Sequence, residues 1–84
     1  MKTAVVTDGK YRASLAAVRA LGEAGFSVVV TQTRQEAVHT PASFVSKFTK
    51  EGRWMEGSCR DADYGERLTA LLQAYRDTSL SSAL

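Results

Sequence analysis

The chain has 84 residues, of which 44 % are hydrophobic and 24 % are charged, and its formal net charge is +2. This length limits it to one domain, and the composition is ordinary for a soluble globular protein. So small a net charge gives no support for a nucleic-acid partner, and the longest apolar run is far too short to span a membrane.

The distribution of charge and the cysteine content give two further expectations, on the electrostatics of the domain and on its compartment. Residues 1–60 carry nine Lys and Arg against five Asp and Glu, whereas residues 61–84 carry two against four. Cys59 is the only cysteine, so an internal disulfide is excluded and a reducing compartment is favoured. Because no charged and then apolar leader precedes the first strand, we expect a cytoplasmic domain with a basic first part and an acidic closing helix.

The first thirty residues predict a strand, a helix and a second strand. The predicted strands are Thr3–Thr7 and Ser27–Thr31, and the second contains three consecutive valines. Such a continuous β-branched run is typical of a strand covered on both faces, which favours a parallel sheet. Apolar residues at three- and four-residue steps predict the intervening helix; they are Tyr11, Leu15, Val18 and Leu21. Gly25 stands where that helix should end.

The next segment has a weaker pattern. The polar stretch Gln32–Ala42 contains the only proline and predicts a loop. The segment Ser43–Phe48 can form one helical turn capped by Ser43, or it can pack as a loop. In the first case three apolar side chains should point inward, namely Phe44, Val45 and Phe48.

The last third predicts an edge strand and a second helix. Arg53–Glu56 is short and only partly apolar, which suits an edge position. Asp61 or Asp63 is expected to cap the helix that follows. The apolar face of this helix consists of Leu68, Leu71, Leu72 and Tyr75. We expect a folded domain over residues 1–77 and a flexible tail over 78–84.

Together these elements predict an α/β fold, a small Rossmann-like parallel sheet of about three strands with two main helices, truncated before a fourth strand. A helix that follows a parallel strand normally feeds another strand of the same sheet. The sequence is therefore expected to be a fragment of a longer protein, or to take the missing neighbour from another chain.

Three stretches together resemble a known family. They are VVTDGKYRASLAAVRALGEAGFSVVV, TPASFVSKFTKEGRWMEG and DADYGERLTALLQAY. They are similar to the N-terminal, pre-ATP-grasp domain of ATP-grasp ligases of the carbamoyl-phosphate-synthase-like group. The similarity covers residues 2–76 and lies in the order of the patterns more than in any single motif.

The resemblance implies a part in an ATP-dependent carboxylate–amine ligase. Such enzymes form an acyl-phosphate from ATP, and the nucleotide and Mg²⁺ lie between two later lobes that these 84 residues lack. The resemblance therefore implies that this chain binds no cofactor and catalyses nothing alone. It would shape the side that receives a small-molecule acceptor substrate.

The candidate binding site follows from the parallel sheet, because ligands of such sheets bind beyond the carboxyl ends of the strands. Glycine in the first turn, free helix amides and nearby cations there favour an anion. The predicted substrate-binding residues are Asp8, Gly9, Lys10, Arg12, Ser14, Thr31 and Arg34. The alternative is that Asp8 only caps the helix, Gly9 only makes the turn and the cations are solvated.

Catalysis and metal binding have less support in the sequence than substrate binding. His39 and Cys59 have no companions at metal-ligand or catalytic spacing, so no catalytic or metal-binding residue is predicted. Phe44 and Trp54 are expected to pack as core or edge cover.

Two further hypotheses stay open. The chain can be a stand-alone interaction module that forms a homodimer through the exposed Thr3–Thr7 strand edge. A receiver-like or flavodoxin-like regulatory domain fits less well. Asp8 is near the end of the first strand, but no second Asp ends a third strand and no suitable Lys follows.

Overall fold

Three parallel strands and two α-helices form the framework of the computed structural model, which describes the backbone of residues 2–83 and the side chains of residues 2–74. The strands lie side by side in chain order, with β2 in the middle. In chain order the elements are β1 (Thr3–Val6), α1 (Arg12–Glu23), β2 (Ser27–Thr33), two 3₁₀ turns (Arg34–Glu36 and Ala42–Val45), β3 (Thr49–Met55) and α2 (Tyr64–Ala83).

The predicted α/β class with a parallel sheet of three strands is confirmed. Thr3 pairs with Ser27 at one end of β1, and Val6 pairs with Val30 at the other. All seven residues of β2 are buried, as expected for a central strand covered on both faces.

The hydrophobic core lies between α1, the second 3₁₀ turn and one face of the sheet. Its fully buried centre is Val18 on α1 with Val28 and Val30 on β2. The half-buried side chains that pack around this centre are Val6, Leu21, Phe26, Phe44 and Phe48. Alternate strand residues point to opposite faces, so Val29 faces the side away from this core.

The end of α1 follows the sequence prediction closely. Gly25 has a φ of +94°, and its N–H donates to the Gly22 carbonyl at 3.1 Å. The Phe26 N–H donates to the Leu21 carbonyl at 3.0 Å. This pair of bonds is the Schellman arrangement, in which a left-handed residue reverses the chain and satisfies the last carbonyls of a helix.

The start of α1 and its inward face differ from the prediction. Asp8 does not cap the helix, because the N-cap residue is Tyr11 and no side chain bonds to the free amides there. Asp8 has a φ of +53°, so it belongs to the turn before the helix. Tyr11 is 56 % exposed at the N-cap position, so it does not join the apolar face of α1.

Two strands are longer than predicted. β2 continues to Thr33 because the polar residues at its end are buried with partners. Gln32 Nε2 donates to the Thr33 carbonyl at 3.1 Å and Gln32 Oε1 accepts the Lys10 N–H at 3.0 Å. β3 begins at Thr49, before the predicted start at Arg53, and it is an edge strand as expected. The exposed polar side chains of β3 leave no alternation of apolar and polar residues from which its start could be predicted. The register against β2 shifts once, between Val28 and Val29.

The segment before β3 forms a short 3₁₀ turn in which Ser43 is not the cap. Pro41 occupies the N-cap position, and Ser43 is buried with its hydroxyl donating to the Gly9 carbonyl at 2.6 Å. Phe44 packs edge-on against Trp54 with ring centres 5.3 Å apart, which confirms both as cover for the sheet. Val45 is 77 % exposed, so the prediction that it points inward is wrong.

The second helix, α2, leaves β3 and packs against β1 at the opposite edge of the sheet. Leu68, Leu71 and Leu72 are half-buried, while Tyr75 lies outside the described side chains. The Asp63 carboxylate accepts from Arg67 at 3.2 Å, and Asp61 accepts the Ser58 N–H at 3.0 Å. The helix extends to Ala83, and the flexible tail expected over residues 78–84 stays a prediction.

Candidate functional site

The carboxyl ends of the three strands meet at one rim of the sheet, as parallel pairing requires. Here we call this the carboxyl rim, consisting of residues 7–12, 33–38 and 55–64. It combines the turn after β1, the first 3₁₀ turn after β2 and the loop between β3 and α2.

The turn after β1 is held from several directions. The Gly9 N–H donates to the Thr31 carbonyl at 3.0 Å, and the Ser14 hydroxyl donates to the Asp8 carbonyl at 2.6 Å. Gly9 is buried, and an added Cβ would stand only 2.6 Å from Val30 Cγ1 and 2.8 Å from the Ser43 hydroxyl. The sequence therefore needs glycine there so that the 3₁₀ turn before β3 can lie close to the backbone.

These bonds change what the turn can offer to a ligand. The amides of Gly9, Lys10 and Tyr11 all donate within the protein, to Thr31, to Gln32 and back to Asp8. An anion at this rim would consequently meet the next amides along the chain, at Arg12 and Ala13, where α1 begins. The turn after β1 therefore does not offer the nest of successive free amides that phosphate-binding loops use.

The predicted site residues separate into two groups. Asp8, Gly9, Ser14 and Thr31 come together, but their described hydrogen bonds serve the turn itself. Thr31 is 1 % exposed, and its hydroxyl is buried without a partner among the described residues.

Two of the three predicted cations contact other groups of the rim, and the third is exposed. Lys10 Nζ donates to the Glu36 carbonyl at 2.7 Å. Arg34 pairs with Glu56 at 2.7 Å and lies 5.1 Å above the Trp54 ring. Arg12 is exposed at the start of α1. No described contact joins the three, so a role for each in binding an acceptor substrate stays a prediction.

The densest polar cluster of the rim surrounds Glu36, a residue that the sequence did not single out. Its carboxylate accepts hydrogen bonds from the Thr33 hydroxyl and the Ser58 hydroxyl. It also accepts from the Cys59 N–H at 3.2 Å and from the Cys59 thiol at 3.5 Å. These bonds, led by that from Ser58, lower the pKa of Glu36 from 4.5 to about 2, so the group is a carboxylate at neutral pH.

Residues next to Glu36 also join the segment that follows β2 to the segment that follows β3. Gln35 donates its N–H to the Gly57 carbonyl at 3.2 Å, and Arg34 meets Glu56. The signal that could have revealed this connection was the parallel pairing itself, because residues that follow adjacent strands must lie side by side.

Two further titratable groups of the rim are kept neutral. Burial, the hydrogen bond to Glu36 and the negative charges of Glu36 and Asp8 raise the pKa of the Cys59 thiol. Burial and the Asp8 charge raise the pKa of Tyr64. The arrangement therefore offers polar contacts, and its thiol is a weak nucleophile at neutral pH.

Neither a metal-binding cluster nor a membrane-spanning helix is found among the residues with described side chains. Among them, no group of three or more His, Cys, Asp and Glu residues is placed to hold a metal ion. His39 is exposed. Within the same residues, no helix has the length and apolar character that crossing a bilayer requires.

Comparisons with protein-family models, with curated proteins and with solved structures found no match to this chain. Any assignment of function must consequently rest on the residues and their geometry.

Proposed function

We propose that this chain is the N-terminal, substrate-side α/β domain of an ATP-grasp ligase of the carbamoyl-phosphate-synthase-like group, and that it is not catalytic alone. The observation that carries the proposal is the path of α2. This helix starts beyond the edge strand β3 and packs against β1, the strand at the opposite edge. It follows the course of a crossover that delivers a fourth strand beside β1.

The two edges of the sheet differ in a way that supports this path. β3 carries Lys50, Glu51 and Arg53, and charged side chains of this kind discourage strand addition. β1 has the sequence Thr-Ala-Val-Val with no charge. A further strand is therefore expected at β1.

The carboxyl rim is the part that such a domain would turn toward the acceptor substrate. Because the first turn uses its own amides internally, it does not suit a nucleotide triphosphate. ATP with Mg²⁺ belongs to later lobes in this proposal, where it supplies the phosphoryl group that activates a carboxylate. The role left for this chain is to position the acceptor substrate near Asp8, Arg12 and Arg34.

The gene gives the first test. The proposal expects ATP-grasp lobes encoded in the same reading frame or by a neighbouring gene whose product joins this chain. A reading frame that encodes only this domain, with no such neighbour, would overturn the ligase assignment.

Ligand titration gives the second test. In ¹⁵N spectra of the chain, small amino acids and carboxylates are expected to shift the amides of Arg12 and Ala13 saturably. ATP with Mg²⁺ is expected to do no more than inorganic phosphate. Tight, saturable ATP binding by this chain would contradict the placement of the nucleotide in other lobes.

A second candidate function uses the same uncharged edge. The chain can be an interaction module that forms a homodimer through β1, pairing that edge with a second copy. Solution mass by light scattering over a concentration series separates the two. A concentration-independent dimer in which the β1 amides that face away from β2 are protected from exchange favours the module, whereas a monomer in which these outward-facing amides exchange quickly favours the ligase domain.

A further inference from the structure

A second surface of the molecule, away from the carboxyl rim, has the features of a small-molecule site. A groove of about 340 Å³ runs between α1 and the segment that leads into β3. This volume lies at the lower end of the range of about 300–1,000 Å³ for small-ligand sites. Its lining consists of Leu15, Arg19, Ala42, Ser46, Lys47 and Phe48.

The apolar floor of the groove is fixed by close packing. Phe48 lies so near the α1 backbone that a Cβ on Gly22 would come within 2.5 Å of it. Leu15 and Phe48 are both half-buried and line the groove, and Phe48 also packs against the core. A bound alkyl or aryl group would rest on a surface that exists before binding, which reduces the ordering cost.

The polar part of the groove is positive. Arg19 and Lys47 are exposed, and among the described side chains neither forms an ion pair with a carboxylate. Lys47 Nζ lies 5.1 Å from the centre of the Phe48 ring, at the boundary between the charged and apolar parts. The Ser46 hydroxyl accepts the Phe48 N–H at 3.3 Å, and a hydroxyl that accepts one hydrogen bond can still donate its proton to a ligand.

From this combination we propose that the groove binds a small amphiphilic carboxylate, independently of the function proposed for the rim. Its alkyl or aryl part lies on Leu15 and Phe48, and its carboxylate lies between Arg19 and Lys47. Charge complementarity favours this class, since two cations and no acidic residue line the groove. A carboxylate bound there would be partly exposed, so we expect weak binding that depends on salt.

The test is a ¹⁵N titration of the whole chain with octanoate below its micelle concentration. Saturable shifts are expected at the amides of Leu15, Arg19 and Lys47. Octanamide, which lacks the charge, and acetate at equal ionic strength, which lacks the chain, are expected to bind far more weakly.

Paired variants test the charges. Arg19→Gln with Lys47→Gln should weaken octanoate binding about fivefold or more, the effect of losing two exposed ion pairs. Lys2→Gln with Lys50→Gln removes two charges outside the groove and should leave the affinity for octanoate unchanged. Equal affinity for octanamide, equal losses in both double variants, or shifts confined to the carboxyl rim would each overturn the proposal. Circular dichroism of each variant verifies that the fold is retained.

Discussion

Cys59 donates two hydrogen bonds to a single oxygen of Glu36, one from its backbone N–H at 3.2 Å and one from its thiol at 3.5 Å. The thiol thus lies against a group that is negatively charged at neutral pH. Burial, this hydrogen bond and that charge all raise the pKa of the thiol. Proximity to a helix start often lowers the pKa of a cysteine, but burial and the Glu36 carboxylate raise the pKa of this one.

The first prediction concerns the reactivity of Cys59. Alkylation by iodoacetamide should be slow at pH 8, and its rate should still be rising with pH above 9, because the protonated thiol is favoured. Glu36→Gln removes the negative charge and should speed alkylation severalfold at pH 8. The measurement is the modified fraction over time by intact mass, at several pH values.

The matched control for this measurement is Glu56→Gln. Glu56 is a carboxylate of the same rim, but its partner is Arg34 and it does not contact the thiol. Its replacement should leave the alkylation rate of Cys59 unchanged. Equal acceleration in both variants would mean that loosening of the rim, and not the charge of Glu36, controls the thiol.

The second prediction concerns acid stability. The folded pKa of Glu36 is about 2, below its ordinary value of 4.5. Between these values the unfolded chain binds more protons than the folded one, so the free energy of unfolding must fall as the pH is lowered. Above about pH 4.5 this contribution is fully present. Urea unfolding at several pH values measures it.

Glu36→Gln should remove that part of the pH dependence while other carboxylates keep theirs. The curve of unfolding free energy against pH should therefore be flatter for the variant between about pH 4.5 and 2. Parallel curves for the wild type and the variant would contradict the hydrogen-bonded carboxylate described above.

Residue patterns along the chain account for most of the fold. Three consecutive valines are enough to identify β2 as a central strand, and Gly25 adopts the expected left-handed conformation. Both signals are local. By contrast, the charged strand β3 extends from Thr49 to Met55 because it pairs with β2. The alternation of apolar and polar residues within β3 does not indicate this pairing.

The site was harder to predict because hydrogen bonds between distant segments define it. Glu36 and Cys59 are 23 positions apart in the chain, and they come into contact only because the ends of β2 and β3 lie side by side. Residue type suggested that Lys10 and Arg34 were available for a ligand, yet Lys10 donates to the backbone carbonyl of Glu36 and Arg34 pairs with the Glu56 carboxylate. Residue type suggested cations at the rim, but only the fold determines where they point.

The third prediction compares two glycines. Gly9→Ala would place a Cβ 2.6 Å from Val30 and 2.8 Å from Ser43. Overpacking of this kind costs about 1–3 kcal/mol. Gly65→Ala on α2 meets nothing within 4 Å, and the helix preference for alanine should raise stability by up to about 1 kcal/mol. Urea unfolding of both variants checks the contrast, and similar losses in both would contradict the close approach at Gly9.

The last prediction concerns the conformation of Asp8. Its φ of +53° is left-handed, a region that aspartate tolerates and that other L-residues avoid at a cost of about 1–2 kcal/mol. Asp8→Gly should therefore unfold at an equal or higher urea concentration than the wild type, whereas Asp8→Ala should lose about 1 kcal/mol relative to Asp8→Gly. Both variants remove the carboxylate, so they differ only in backbone freedom and a methyl group. In both, the pKa of Tyr64 should fall, because the Asp8 charge is one of the causes that raise it. Equal stabilities would mean that the turn does not need the left-handed residue, whereas a difference with an unchanged Tyr64 pKa would separate the backbone role of Asp8 from its charge.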